Sequence, residues 1–289
     1  MTARPCRPAL PAGFTLVEMI VVIAIAGIIA AMVAVFIRSP VQGYIDTARR
    51  AQLTEAADTA LRRLARDVRA ALPNSVRVGA VGGNTFLEFI PTIGGGRYRQ
   101  FQTAAGGGDV LDFNTADGGF DVTGPVPVYG NTDSIVIYNL GPASAADAYS
   151  GNNRGAVTSA NPAGGLFSSD AAPHTVTFGA TNFPSPSPGA RFHLVQTPVS
   201  YECAPDAANP ATGVLRRYAG YNFSAAQPTP PPTPPATSNV LVAGVAECAI
   251  AYDPNVTRTR TGLVTIWLRL EAQGESARLV HQIHVHNQP

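Results

Sequence analysis

Residues 14–37 form an unbroken apolar run of twenty-four residues in which Glu18 is the only ionisable side chain. At 1.5 Å per residue a helix of this length reaches about 36 Å, enough to cross a bilayer with some tilt. A secretory signal peptide would have a shorter apolar core followed by a small-residue cleavage site. Here the order is inverted. Gly13 stands before the run, behind a short stretch that carries Arg4 and Arg7. A carboxylate in hydrocarbon costs several kcal/mol, so Glu18 needs a partner. The plainer alternative is a signal anchor whose Glu18 snorkels to the headgroups.

The helical pattern continues past the run. Over residues 44–72, Leu53, Ala57, Ala60, Leu61, Leu64, Val68 and Leu72 recur at three- and four-residue steps and draw one apolar stripe. Arg50, Asp58, Arg62, Arg66 and Arg69 fall largely off it, with Asp58 four residues before Arg62 as a favourable pair. Pro73 disfavours helix at the preceding residue, which puts the end near Leu72. Pro40 and Gly43 predict a kink or a melted turn between the two halves. From Phe14 the helix would be near 90 Å long. Its Ala-rich spacing without sustained heptads argues against a coiled coil.

Beyond Pro73 the chain changes character. Much of its 28 Gly and 25 Pro punctuates short apolar runs, the pattern of strands and turns rather than a helical bundle. The expected strands are 75–81, 85–91, 97–102, 134–140, 174–179, 191–202, 213–218, 240–252, 263–272 and 277–286. In residues 263–270, Val264, Ile266, Leu268 and Leu270 alternate against a mixed face, which predicts an antiparallel sheet with one face on the helix. Residues 227–237, QPTPPPTPPAT, read as an exposed polyproline spacer. The fold class is therefore α+β: a long N-terminal helix, membrane-spanning in its first half, packed on an antiparallel β-domain.

Gly13-Phe14-Thr15-Leu16-Val17-Glu18, behind a basic stretch and before an apolar helix, resembles the processing site of type IV prepilins and type II secretion pseudopilins. The resemblance implies that a membrane peptidase cuts after Gly13 and methylates the new amine of Phe14. It makes Glu18, the fifth mature residue, an assembly carboxylate paired with that ammonium on the same or a neighbouring subunit. The domains would be a leader at 1–13, a membrane half at 14–37, an amphipathic half at 38–72 and a periplasmic domain at 73–289. Loss of Arg4 and Arg7 would take the net charge from +1 to −1. With Cys6 in the leader, Cys203 and Cys248 remain as an even pair, read as a disulfide in an oxidising compartment, with two buried free thiols as the alternative. Arg38, Arg49 and Arg50 after the span weaken the positive-inside count, so orientation rests on the motif and the cysteine pair.

A closer resemblance runs through Pro40 to Tyr44, residues 48–71, Leu72 to Arg77, Pro198 to Cys203 and His284 to Pro289. These stretches are similar to minor pilins of the mannose-sensitive-haemagglutinin type of pilus. It is faint in 94–133 and 141–190, which read as variable loops. The implied function is a structural subunit that enters or primes a filament. Its partners would be other pilins or pseudopilins through the helix, a prepilin peptidase and the inner membrane. The rivals are a minor pseudopilin of type II secretion, an adhesive or DNA-contacting tip subunit, and a membrane-anchored periplasmic enzyme.

Few constellations point to chemistry. His284 and His286 share a strand face with His281 on the other, and no Cys or carboxylate at ligand spacing joins them. Asp109, Asp112, Asp117 and Asp121, near Gly106 to Gly108, lack the spacing of a calcium loop and read as turn formers. No phosphate-loop lysine, nucleophile elbow or Cys–His pair occurs, so no enzyme, cofactor, metal or small-molecule substrate is expected. A net charge near zero gives no default for nucleic acid.

Overall fold

A computed structural model describes residues 13–161, 166–233, 235–254 and 261–289. Arg4, Cys6 and Arg7 of the expected leader lie outside the described residues, as does Pro234 of the proline-rich stretch. The architecture is α+β, with one long helix followed by antiparallel strands. The chain divides into two compact units, one to Ala51 and one from Gln52.

The helix α1 spans Leu16–Arg69 and is helical throughout, so the melted turn expected at Pro40 and Gly43 is not formed. Proline removes one backbone donor, yet the helix runs through it, with short side-chain links in the turns that follow. The Thr47 hydroxyl donates to the Gly43 carbonyl at 2.7 Å, and the Gln42 amide donates to Asp46 at 3.1 Å. The helix stops just short of Leu72. Ala70 and Ala71 donate to Asp67 and Val68 in a tightened last turn, and Leu72 N–H turns away to the Ile90 carbonyl at 2.8 Å. In the second unit the stripe is buried as expected, with Ala57, Leu61, Leu64 and Val68 all sealed from solvent.

The strands follow in chain order. The first six are β1 (Arg77–Val81), β2 (Asn84–Phe89), β3 (Thr92–Arg97), β4 (Asp117–Val122), β5 (Gly124–Pro125) and β6 (Ser134–Ile137). Next come β7 (Arg154–Ala156), β8 (Phe167–Ser168), β9 (His174–Thr181), β10 (Arg191–Val195) and β11 (Val199–Ala204). The last are β12 (Val214–Ala219), β13 (Thr237–Ala243), β14 (Val245–Asp253), β15 (Thr261–Ala272) and β16 (Glu275–His286). They form a five-stranded sheet ordered β1-β2-β11-β12-β13, a four-stranded sheet β3-β10-β6-β7 and a three-stranded sheet β14-β15-β16. Two small pairs, β4-β9 and β5-β8, complete the set.

One core joins the helix stripe to two sheets. Ala57, Leu61, Leu64 and Val68 pack with Leu87, Phe89, Tyr201 and Leu215 of the five-stranded sheet and with Val264, Ile266, Leu268 and Ile283 of the three-stranded sheet. Cys203 on β11 is disulfide-bonded to Cys248 on β14, tying these sheets together with a Cα separation of 5.8 Å.

The regions 94–133 and 141–190 are not merely loops. They build a second core in which Tyr98, Phe120, Phe178, Phe183 and Phe192 meet at ring separations of 5.1–5.9 Å. Three strand expectations change with it. The run 97–102 is not a strand; the strand is β3, through Gly94, Gly95 and Gly96. A Cβ at Gly95 would lie 2.7 Å from the Phe192 carbonyl oxygen, so close strand approach demands glycine where propensity reads a turn. The run 191–202 splits at Pro198 into β10 and β11 of different sheets, and 240–252 splits at Gly244, whose φ is +81°. The proline-rich stretch is not fully exposed either: Pro231 and Ala236 are buried, and the Gln227 amide donates to the Phe86 carbonyl at 3.1 Å.

Candidate assembly site

Gly13 and Phe14 precede the helix, and both are exposed, Phe14 at 77%. Thr15 caps α1. Its hydroxyl oxygen accepts from Glu18 N–H at 3.3 Å, and its carbonyl accepts the first helical bond from Met19 N–H at 3.2 Å. Thr15-Leu16-Val17-Glu18 is therefore the spacing of a capping box, with Glu18 at the third helical position. That spacing is legible in the sequence itself. Capping places the carboxylate in the first turn, at the positive end of the helix dipole.

From Leu16 to Ile37 the helix buries nothing within the chain. Ile20, Ile23, Ile28, Val35 and Phe36 are all more than half exposed. This is the one helix among the described residues long and apolar enough to cross a membrane. An all-round apolar surface needs a cover of lipid or of like helices. Glu18 is the one charged residue on it before Arg38.

The second unit holds its own polar fastenings. Asp67, off the apolar stripe, accepts from the Tyr201 hydroxyl at 2.7 Å and from Arg217 Nε at 2.9 Å, which pins the helix to β11 and β12. Burial, with the adjacent Asp67 carboxylate, pushes the Tyr201 hydroxyl well above its usual range. Sequence reasoning missed Asp67 because its partners lie 134 and 150 residues away. At the head of β1, Arg77 pairs with Glu88, which is completely buried. Arg77 also donates to the carbonyls of Ala225 and Ser224 at 2.7 and 2.9 Å and lies 3.6 Å above the Tyr149 ring. Tyr221 donates to the other Glu88 oxygen at 2.8 Å. Burial raises the Glu88 carboxyl above its ordinary value, against the opposing pull of Arg77.

The remaining candidates are accounted for by structure. Asp112 accepts from Asn114 N–H and the Thr115 hydroxyl, bonds that hold its carboxyl below the ordinary value. Asp117 accepts from Gly118, Gly119 and Asp112, and Asp121 from Asp109 N–H and the Thr175 hydroxyl. His284 and His286 lie on the exposed face of β16 and His281 on the other. Among the described residues no group of three His, Cys, Asp or Glu is placed to hold a metal ion. A cleft of 510 Å³ beside Asp67 is lined by Arg66, Phe89, Asp133 and Arg217. Two of its charges, Asp67 and Arg217, satisfy each other, and Asp133 accepts from Gly130 N–H.

A family model for the prokaryotic N-terminal methylation motif matches residues 11–34. No curated protein and no solved structure matches the chain. The match covers Gly13, Phe14 and Glu18 together with most of the exposed helical run. The chain thus combines a type IV pilin-like prepilin signal with a helix of membrane-spanning length and an antiparallel β-domain.

Proposed function

We propose that the chain is a minor pilin, made as an inner-membrane precursor, cut after Gly13, methylated on Phe14 and built into or onto a filament through α1. The observation that carries this reading is the coincidence of the methylation motif with a helix whose sole acid before Arg38 sits in its capped first turn. Cleavage would create an ammonium at Phe14, four residues from Glu18. An ammonium at the positive end of a helix dipole is destabilised there, and a carboxylate at the third helical position offsets both that and its own desolvation. When the carboxylate meets the ammonium of a neighbouring subunit, the pair sets the axial register of one apolar helix on the next. The Cys203–Cys248 bridge favours a periplasmic globular domain, where disulfides persist.

The finer reading, a minor pilin of a mannose-sensitive-haemagglutinin-type pilus, follows from resemblance to the MSHA pilus biogenesis protein MshO in the phrases around Arg77, Tyr201 and Asn287. Those phrases meet in space: Asn74 N–H donates to Asn287 at 3.2 Å, and the Tyr201 hydroxyl donates to Asp67 in the 48–71 stretch at 2.7 Å. A pseudopilin of type II secretion is the alternative use of the same helix. Co-expression with a prepilin peptidase, followed by intact-mass measurement, tests the core of the proposal. A mature chain beginning at N-methylated Phe14 is expected, and a chain that keeps residues 1–13 would refute it.

A further inference from the structure

The charge-bearing surface of the second unit is sparse, and one place on it is unusual. Arg97 on β3 and Arg191 on β10 are directly opposite each other in the antiparallel ladder, so they share a face. Both are exposed. Like charges in that relation are destabilising. Among the described residues neither has an ion-pair partner, whereas the neighbouring Arg99 is buried and held by Asp121 at 3.4 Å and Asp170 at 2.8 Å.

A groove of 250 Å³ lies alongside, lined by Arg97, Gln100, Phe101, Thr123 and Gly189 among others. The Arg191 side chain folds over Gly189, where a Cβ would come within 3.1 Å of its Nε. The Phe101 ring stands 80% exposed, and Gln100 and Thr123 are exposed beside it. The groove is also rigid. Ser187 N–H donates to the Tyr98 hydroxyl at 2.9 Å, and Tyr98 N–H donates to the Ala190 carbonyl at 2.8 Å. Ala190 is held at φ +52°, a left-handed conformation that alanine adopts only when its surroundings impose it.

We propose that this groove binds an anionic polysaccharide, taking one uronate residue at a time. Arg97 and Arg191 receive the sugar carboxylate, for which the guanidinium fork is matched. Phe101 covers an apolar face of the ring, and Gln100 and Thr123 meet its hydroxyls. A single-stranded nucleic acid has the same elements, an anion and a flat face, but is held by a continuous basic track along its backbone. Here two free cations stand on a chain of net charge +1, and the groove has room for about one ring.

The test uses the full chain in detergent micelles, unprocessed, so that its outcome does not depend on cleavage or filament entry. Alginate oligosaccharides are titrated calorimetrically beside dextran oligosaccharides of equal length and oligothymidylate. Saturable alginate binding is expected, at least tenfold tighter than dextran. It should weaken at least tenfold in the Arg97→Gln/Arg191→Gln double variant and again in Phe101→Ala. Phe167→Ala removes an equally conspicuous exposed ring outside the groove and should leave binding unchanged. Thermal unfolding of each variant identifies any loss that reflects misfolding. Equal affinity for dextran, oligothymidylate bound more tightly than alginate, or Phe101→Ala no weaker than Phe167→Ala would each overturn the proposal.

Discussion

Replacing Arg77 with alanine isolates the energetic centre of the β-domain. Glu88 is fully buried, and the Arg77 side chain is 11% exposed, so removal leaves a carboxylate with only the Tyr221 hydroxyl beside it. Breaking a buried pair from one side typically costs about 3–5 kcal/mol, because the remaining charge is desolvated without compensation. For a unit of this size that corresponds to a melting temperature lower by roughly 6–20 °C. The pH dependence gives the reasoning its sign. The Glu88 carboxyl is already raised by burial in the fold, and Arg77 is the main influence holding it down. A raised carboxyl contributes stability that is present below its unfolded value and lost as pH rises through its folded value. Without Arg77 the folded value rises further, so the deficit of Arg77→Ala should be largest near neutral pH and shrink as acid protonates Glu88.

The assay is urea unfolding of the full chain in detergent, followed by fluorescence of Trp267, the single tryptophan, which is partly buried on β15. Wild type, Arg77→Ala and the double variant Arg77→Ala/Glu88→Gln are compared at about pH 7.5 and about pH 5. The double variant should be more stable than the single one at the higher pH, since glutamine can accept from Tyr221 without carrying a charge. A single-variant deficit below about 1 kcal/mol at pH 7.5, the level of an exposed pair, would refute the argument. So would one that is independent of pH.

Three further substitutions probe the anchor, the staple and the strand approach. Glu18→Gln keeps the length of the side chain and removes its charge, so peptidase cleavage should persist while filament incorporation falls; normal incorporation, read by immunoblot of sheared filaments, would count against charge pairing. Cys203→Ser with Cys248→Ser opens a loop of sequence separation 45 and should lower stability by about 4 kcal/mol in urea titrations. Gly95→Ala should cost about 1–3 kcal/mol, because its Cβ would meet the Phe192 carbonyl and that backbone atom can yield only by opening β3 from β10.

Local periodicity carried a large part of this architecture. The stripe from Leu53 to Leu72 and the alternation of Val264, Ile266, Leu268 and Leu270 declare which faces are buried, since each repeats at the period of its own element. The end of α1 was legible for the same reason, in Pro73. What stayed hidden depends on contacts between distant segments. The second core is assembled from Tyr98, Phe120, Phe178 and Phe192, aromatics from widely separated segments whose meeting no local pattern declares. β3 is a run of glycines whose reason for being a strand is the backbone of β10.

The same division separates the two ends of the candidate function. The assembly motif is contiguous, because a peptidase reads an extended substrate and a helix cap is built from residues within one turn. Gly13 to Glu18 could therefore be recognised without any tertiary structure. The groove at Arg97 and Arg191 has no such signature, since its two arginines are 94 residues apart and become neighbours only through the β3–β10 register. Their proximity costs stability unless an anion is present, whereas in a second cross-strand arginine pair, Arg269 opposite Arg278, the first arginine is held by Glu247 and Glu271. On the proposed reading the helix supplies assembly, and the uncompensated pair on the β-domain would leave an outside partner to complete the charge balance.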